Sequence, residues 1–162
     1  MITSQRAIEQ LESLIDLEFV RRSLQIATDA VSHGNHPFGA LLVRDGQILL
    51  EAENTIFTER DLTNHAELNL VRLAARHYDP AFLEGSTLYS STEPCAMCSG
   101  AIYWSGVGTV VYACSATRLA DFAGEHLAVP CRDIFAKGTR KIHVRGPLLE
   151  SEAEEIHAVY WR

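Results

Sequence analysis

The chain has 162 residues and a formal net charge of −7, from 14 Lys and Arg against 21 Asp and Glu. That length fits one domain over residues 1–162 with a full core, and scattered cations in an acidic chain speak against a nucleic-acid substrate, which asks for a basic stripe. No apolar run is long enough to cross a bilayer, and Met1-Ile2-Thr3-Ser4-Gln5-Arg6 lacks the apolar core of a signal peptide; a cytoplasmic location without disulfides is therefore expected.

Apolar residues at Ile8, Leu11, Leu14 and Ile15, then at Phe19, Val20, Leu24, Ala27 and Val31, recur at helical spacing. Residues 4–33 therefore read as helix, either continuous or broken near Asp16–Glu18 into a short leading helix and a longer one, and Gly34-Asn35 closes it. Leu41-Leu42-Val43-Arg44 and the run from Gln47 to Ala52 flank Asp45-Gly46, the strongest short-range hairpin signal. Asn54 to Thr63 is polar and reads as a loop. Thr63 or Asn64 is expected to cap a helix running to about His77. Ser86 to Ser91 reads as a strand, and a helix is expected from Pro94-Cys95 to Gly106–Gly108. The β-branched run Thr109 to Ala113 is a strand; Ser115 to His126 stays open between a helical turn and a loop, and Ile134-Phe135 carries no assignable type. Lys141 to Arg145 is a last strand and Leu148 to Val159 a closing helix. This alternation predicts an α/β fold, a mixed sheet with helices on both faces.

The chemistry concentrates in His65-Ala66-Glu67 and Glu93-Pro94-Cys95-Ala96-Met97-Cys98. One imidazole and two thiols, His65, Cys95 and Cys98, supply three zinc ligands and leave one coordination position open, the arrangement of a catalytic Zn2+. Cysteines at i and i+3 share one side of a helical turn, and a helix N-terminus favours their thiolate form. A lone Cys-x-x-Cys would equally suit a redox pair or half of a structural site. The upstream His-x-Glu, and Pro94 before the first thiol, favour the catalytic alternative. Glu67 is the acid–base candidate, since one carboxyl beside a metal-activated water can take its proton and hand it on. Cys114 and Cys131 lack ligand spacing and read as buried, reduced packing residues. His36, beside Pro37, reads as a solvated loop residue ahead of a place at a pocket mouth, and His33, His77, His143 and His157 read as surface or helix-end residues.

Taken with Pro37-Phe38-Gly39-Ala40, Asp45-Gly46, Asn54 and Gly100-Ala101-Ile102-Tyr103-Trp104, these motifs resemble the cytidine deaminase-like superfamily, in the branch of guanine deaminases and related nucleobase deaminases. The resemblance covers about Phe19 to Ala123. It implies a three-layer α-β-α fold around a five-stranded mixed sheet, a bound zinc, a small heterocyclic substrate and a homodimer. It further implies that Asn54 hydrogen-bonds the base, that Phe38 and Trp104 line or stack on it, and that the Ala66 backbone and the Ser91–Glu93 segment help to hold it. Phe38 and Trp104 also suit core or interface packing. The chain departs from the guanine deaminase pattern in two places. Glu125-His126 stands where an acidic pair that helps to move a proton on the purine is expected, and the chain ends in Tyr160-Trp161-Arg162 rather than in a terminal aromatic, Tyr160 and Trp161 suiting either an aromatic lid or packing against the body. The expected reaction is zinc-dependent hydrolytic deamination of an amino-substituted nucleobase or nucleoside with release of ammonia; guanine is the leading substrate, ahead of other aminopurines, cytosine-type pyrimidines and aminotriazines. A tRNA adenosine deaminase and a non-catalytic zinc module are the other readings.

Overall fold

The computed structural model describes residues 4–124 and 127–162, so the predicted Glu125-His126 pair lies outside the described residues. Helix α1 (Ser4–Ser32) is continuous, without a break at Asp16. The reason is local: Asp16 is 3% exposed, and its carboxylate accepts from the Tyr89 hydroxyl at 2.7 Å and from the Arg145 guanidinium at 2.5 and 2.9 Å. A mid-helix aspartate whose lone pairs are met by other elements has no need to bend its own backbone.

Strands β1 (Gly39–Arg44) and β2 (Gln47–Glu53) form the predicted hairpin. Asp45 and Gly46 turn it with φ of 51° and 73°, the left-handed pair that a type I′ turn requires. Beyond the loop come α2 (Ala66–His77), an unpredicted short helix α3 (Pro80–Glu84), β3 (Thr87–Thr92), α4 (Ala96–Ser105) and β4 (Thr109–Cys114). The two untyped stretches fold as α5 (Ala116–Ala123) and α6 (Cys131–Phe135), followed by β5 (His143–Arg145) and α7 (Glu150–Tyr160).

The five strands form one sheet in the order β2-β1-β3-β4-β5, antiparallel at β2-β1-β3 and parallel at β3-β4-β5. Alternation along the strands divides the core. Ala40, Leu42, Leu88, Val110 and Tyr112 pack with Leu70 of α2, Ile102 of α4 and Phe135 of α6. Leu41, Val43, Tyr89, Val111 and Ala113 pack with Val20 and Leu24 of α1 and Ala153 of α7. This is the expected three-layer α-β-α arrangement. Among the described residues no helix is long and apolar enough to cross a membrane.

Two helix starts differ from the sequence reading, and both matter for the site. Asn64 does not cap α2, because its Oδ1 accepts from Arg72 and its Nδ2 donates to Glu59; the cap is His65. In α4 the cap is Cys95, one residue after Pro94. Where α1 crosses β1, a Cβ on Gly39 would stand 2.6 Å from the Ala27 nitrogen and 2.6 Å from the Ser23 carbonyl oxygen, both rigid helix backbone. Gly39→Ala is therefore expected to push α1 off the sheet and cost about 1–3 kcal/mol, the usual range for overpacking. An unchanged urea midpoint would show that α1 yields freely.

Candidate active site

His65 and Cys95 take extended cap conformations (φ −68°, ψ 153° and φ −66°, ψ 173°), and neither side chain caps its own helix. Both are thus free to face each other across the meeting point of the α2 and α4 N-termini. His65 Nδ1 lies 3.6 Å from Cys95 Sγ, and the donor atoms of His65, Cys95 and Cys98 fall within 4.8 Å of one another. Tetrahedral zinc with ordinary Zn–S and Zn–N bonds places its ligand atoms roughly 3.5–3.8 Å apart, so the trio fits that ion in donor type and spacing. Cys98 donating to Cys95, together with His65, holds the Cys95 thiol well below its ordinary range, while the shared proton and burial push Cys98 up. A divalent cation replaces such a proton outright.

Glu67, in the first turn of α2, is 6% exposed, and its Oε1 accepts from the Ser90 hydroxyl at 3.1 Å. Burial, with the charge on Cys95 behind it, pushes this carboxyl up to about 7. A carboxyl poised there both accepts and donates protons near neutral pH.

A cavity of about 430 Å³ opens over these groups, with His65, Glu67 and Cys95 on its wall. Phe38 lines it as expected, and so does Glu93. The Glu93 carboxylate is engaged elsewhere, however, accepting from the Ala116 and Cys131 backbone N–H groups at 2.9 Å each. Its part is to fix the starts of α5 and α6. Asn54 (1% exposed) and Ala66 (fully buried) are not among the residues lining the cavity. The Asn54 Oδ1 accepts from Ile56 N–H at 3.2 Å, and its Nδ2 makes no hydrogen bond among the described residues. Trp104 does not line its own chain's cavity; it is 83% exposed on α4. Thr92, within the segment expected to hold the base, lines the cavity, whereas Leu62, Met97, Leu119, Ala123 and Leu127 of its wall went unnoticed in sequence. Amphipathic spacing of Leu119 and Ala123 was the available signal for α5.

His157 departs from the surface or helix-end place expected of it, and His36 stands closer to its alternative place by the pocket than to a solvated loop. His36 is half-buried, its Nδ1 is 2.7 Å from the Tyr160 hydroxyl, and its ring contacts Phe38, Phe57 and Trp161. His157 is 2% exposed, bonded to Thr92 and Trp161. Trp161 of the same chain reaches the cavity, whereas Tyr160 is held against His36.

Burial pulls the His157 imidazole down to about 4 from its ordinary 6.5. Between those values the unfolded chain binds the extra proton, so the stability complete above pH 6.5 drains as pH falls toward 4. The expected loss between about pH 7 and about pH 5 is ~2 kcal/mol. Urea unfolding of the parent chain and of His157→Gln at both pH values measures it, and parallel slopes in the two proteins would remove His157 as the cause.

With the geometry in place, comparison with known proteins is informative. The zinc-binding region of cytidine and deoxycytidylate deaminases matches residues 14–114. A probable cytosine deaminase of Schizosaccharomyces pombe is 36% identical over 151 residues, 90% of this chain and 92% of that one. The guanine deaminase of Bacillus subtilis is 40% identical over 104 residues, 64% of this chain and 67% of that one. A solved tRNA:A34 deaminase superposes with a TM-score of 0.69 at 30% identity, covering 86% of this chain and 98% of the other. With that zinc-binding region spanning well over half its length and containing the His65, Cys95 and Cys98 cluster, the chain belongs to the cytidine and deoxycytidylate deaminase family of zinc-dependent deaminases.

Proposed function

We propose that the chain hydrolyses the exocyclic amine of a free nucleobase, with guanine as the leading substrate, consuming one water and releasing one ammonia. The observation that carries this reading is the buried Glu67 carboxyl, held by Ser90 and opening onto the same cavity as His65 and Cys95. Bound by His65, Cys95 and Cys98, zinc would supply the Lewis acidity that lets water ionise near neutral pH. The Glu67 carboxyl would take one proton of the water and deliver it to a ring nitrogen, then take the second from the added hydroxyl and pass it to the amine as the C–N bond breaks. Phe38 and Trp161 offer π-faces to a flat ring. The cavity falls in the ordinary size range of small-molecule sites, with room for a bicyclic purine.

The unengaged Asn54 Nδ2 supports a base contact through that amide. Asn54→Ala is expected to lower turnover about 10–100-fold, the loss of a substrate hydrogen bond worth roughly 1–3 kcal/mol, with zinc content near that of the parent. Unchanged kinetics would take Asn54 off the substrate.

A cytosine deaminase is the second reading, favoured by the Schizosaccharomyces pombe relative that matches nearly the whole chain. Comparing kcat/KM for guanine, cytosine, adenine, their nucleosides, aminotriazines and a tRNA anticodon stem-loop separates the possibilities. Guanine in first place supports the proposal, cytosine in first place installs the second reading, and a stem-loop in first place overturns both. A homodimer, which the outward-facing Trp104 supports, would sediment at twice 18.0 kDa.

A further inference from the structure

We propose that His157 is a positioning residue. Held as the tautomer with its proton on Nε2, it fixes the Trp161 indole and turns the Thr92 hydroxyl into a donor toward the cavity.

His157 does not line the cavity, but three residues that do are in contact with it. Trp161 Nε1 lies 3.2 Å from His157 Nδ1, one helical turn on. Thr92 Oγ1 lies 3.1 Å from His157 Nε2. The Phe38 ring is 5.7 Å from the imidazole, centroid to centroid. An indole N–H can only donate, so Nδ1 must accept and carries no proton. A neutral imidazole then has its single proton on Nε2, pointing at Thr92. The threonine oxygen accepts that proton's hydrogen bond, which leaves the hydroxyl's own hydrogen for another acceptor. Since Thr92 lines the cavity, that acceptor is a ring nitrogen or carbonyl oxygen of the bound heterocycle. Phe38 and Phe122 pack against the imidazole, and burial keeps it uncharged at neutral pH. A protonated ring would donate from both nitrogens and could not accept from Trp161.

The kinetic arm rests on the deaminase reading; the spectroscopic arm does not. In 15N-labelled, zinc-loaded protein, one imidazole should show a bare Nδ1 and a protonated Nε2, and should vanish in His157→Gln. The Trp161 indole N–H should exchange with solvent more slowly than that of the exposed Trp104. A His157 with its proton on Nδ1, or charged near pH 7, overturns the proposal whether or not any base is turned over.

Two substitutions split the bonds. His157→Asn keeps an acceptor near the δ position and loses the donor to Thr92, while His157→Gln keeps a donor near ε and loses the acceptor for Trp161. Each should retain one zinc per chain and raise KM about tenfold with kcat within about threefold, the pattern of lost binding that is equal in ground and transition states. Trp161→Phe, which keeps a ring and removes the donor without touching the core, should raise KM several-fold. Unchanged KM in all three, with an active parent chain, overturns the proposal. A parent chain that turns over no base in the panel refutes the function instead, leaving the tautomer to stand or fall on the NMR result.

Discussion

Glu67→Gln is expected to bind one zinc per chain and to release ammonia about 10²–10⁴-fold more slowly than the parent protein, the usual worth of a positioned general acid–base. Gln preserves the length of the side chain and an acceptor for the Ser90 hydroxyl, so the pocket keeps its shape. What it removes is the exchangeable proton. Glu67 is not among the clustered donors, which explains why metal content should be spared. Zinc measured by mass spectrometry beside ammonia release checks both halves. Turnover near the parent's rate would mean that protons travel by another route.

Cys98→Ala is expected to reverse that pattern, losing the metal first. Cys98 is fully buried in the first turn of α4, in reach of both His65 and Cys95. Removing it leaves an imidazole and a single thiol, while the cavity above gains no new donor. Disturbing an outer-shell partner of a metal already costs about 10–100-fold in affinity, so loss of a ligand itself should exceed a hundredfold. After dialysis against a weak chelator the variant should hold little zinc and release no measurable ammonia, and its thermal midpoint should no longer respond to added zinc. One zinc per chain in the variant would refute the ligand set.

The contrast between what could and could not be read in the sequence has a physical basis. That His65, Cys95 and Cys98 lie together was legible because two helix starts carry them, and each motif fixes its own local geometry. The hairpin was legible because Asp45-Gly46 dictates its turn. Long-range partners were not. Nothing near Asp16 announces that Tyr89 and Arg145 will meet its carboxylate, so a break in α1 stayed open where the helix continues. His157 looked like a helix-end residue because Thr92 lies 65 positions away. Yet Ala153, His157 and Trp161 follow one another at i, i+4 and i+8, a spacing that marks an inward face. Glu93 is a related case. The resemblance implied that the Ser91–Glu93 segment holds the base, but the Glu93 carboxylate oxygens are spent on the starts of α5 and α6, which no local pattern reveals. Trp104 was assigned to the base by resemblance alone, and its exposed position on α4 leaves it available to a second chain.

The most direct test of hydrolytic deamination is to run turnover in 18O-labelled water with zinc-loaded protein and follow product and ammonia together. The expected result is one 18O atom in each product molecule and one ammonia for each atom incorporated, with neither formed by Glu67→Gln. Product lacking the label, or no ammonia from any base despite one zinc per chain, would contradict it.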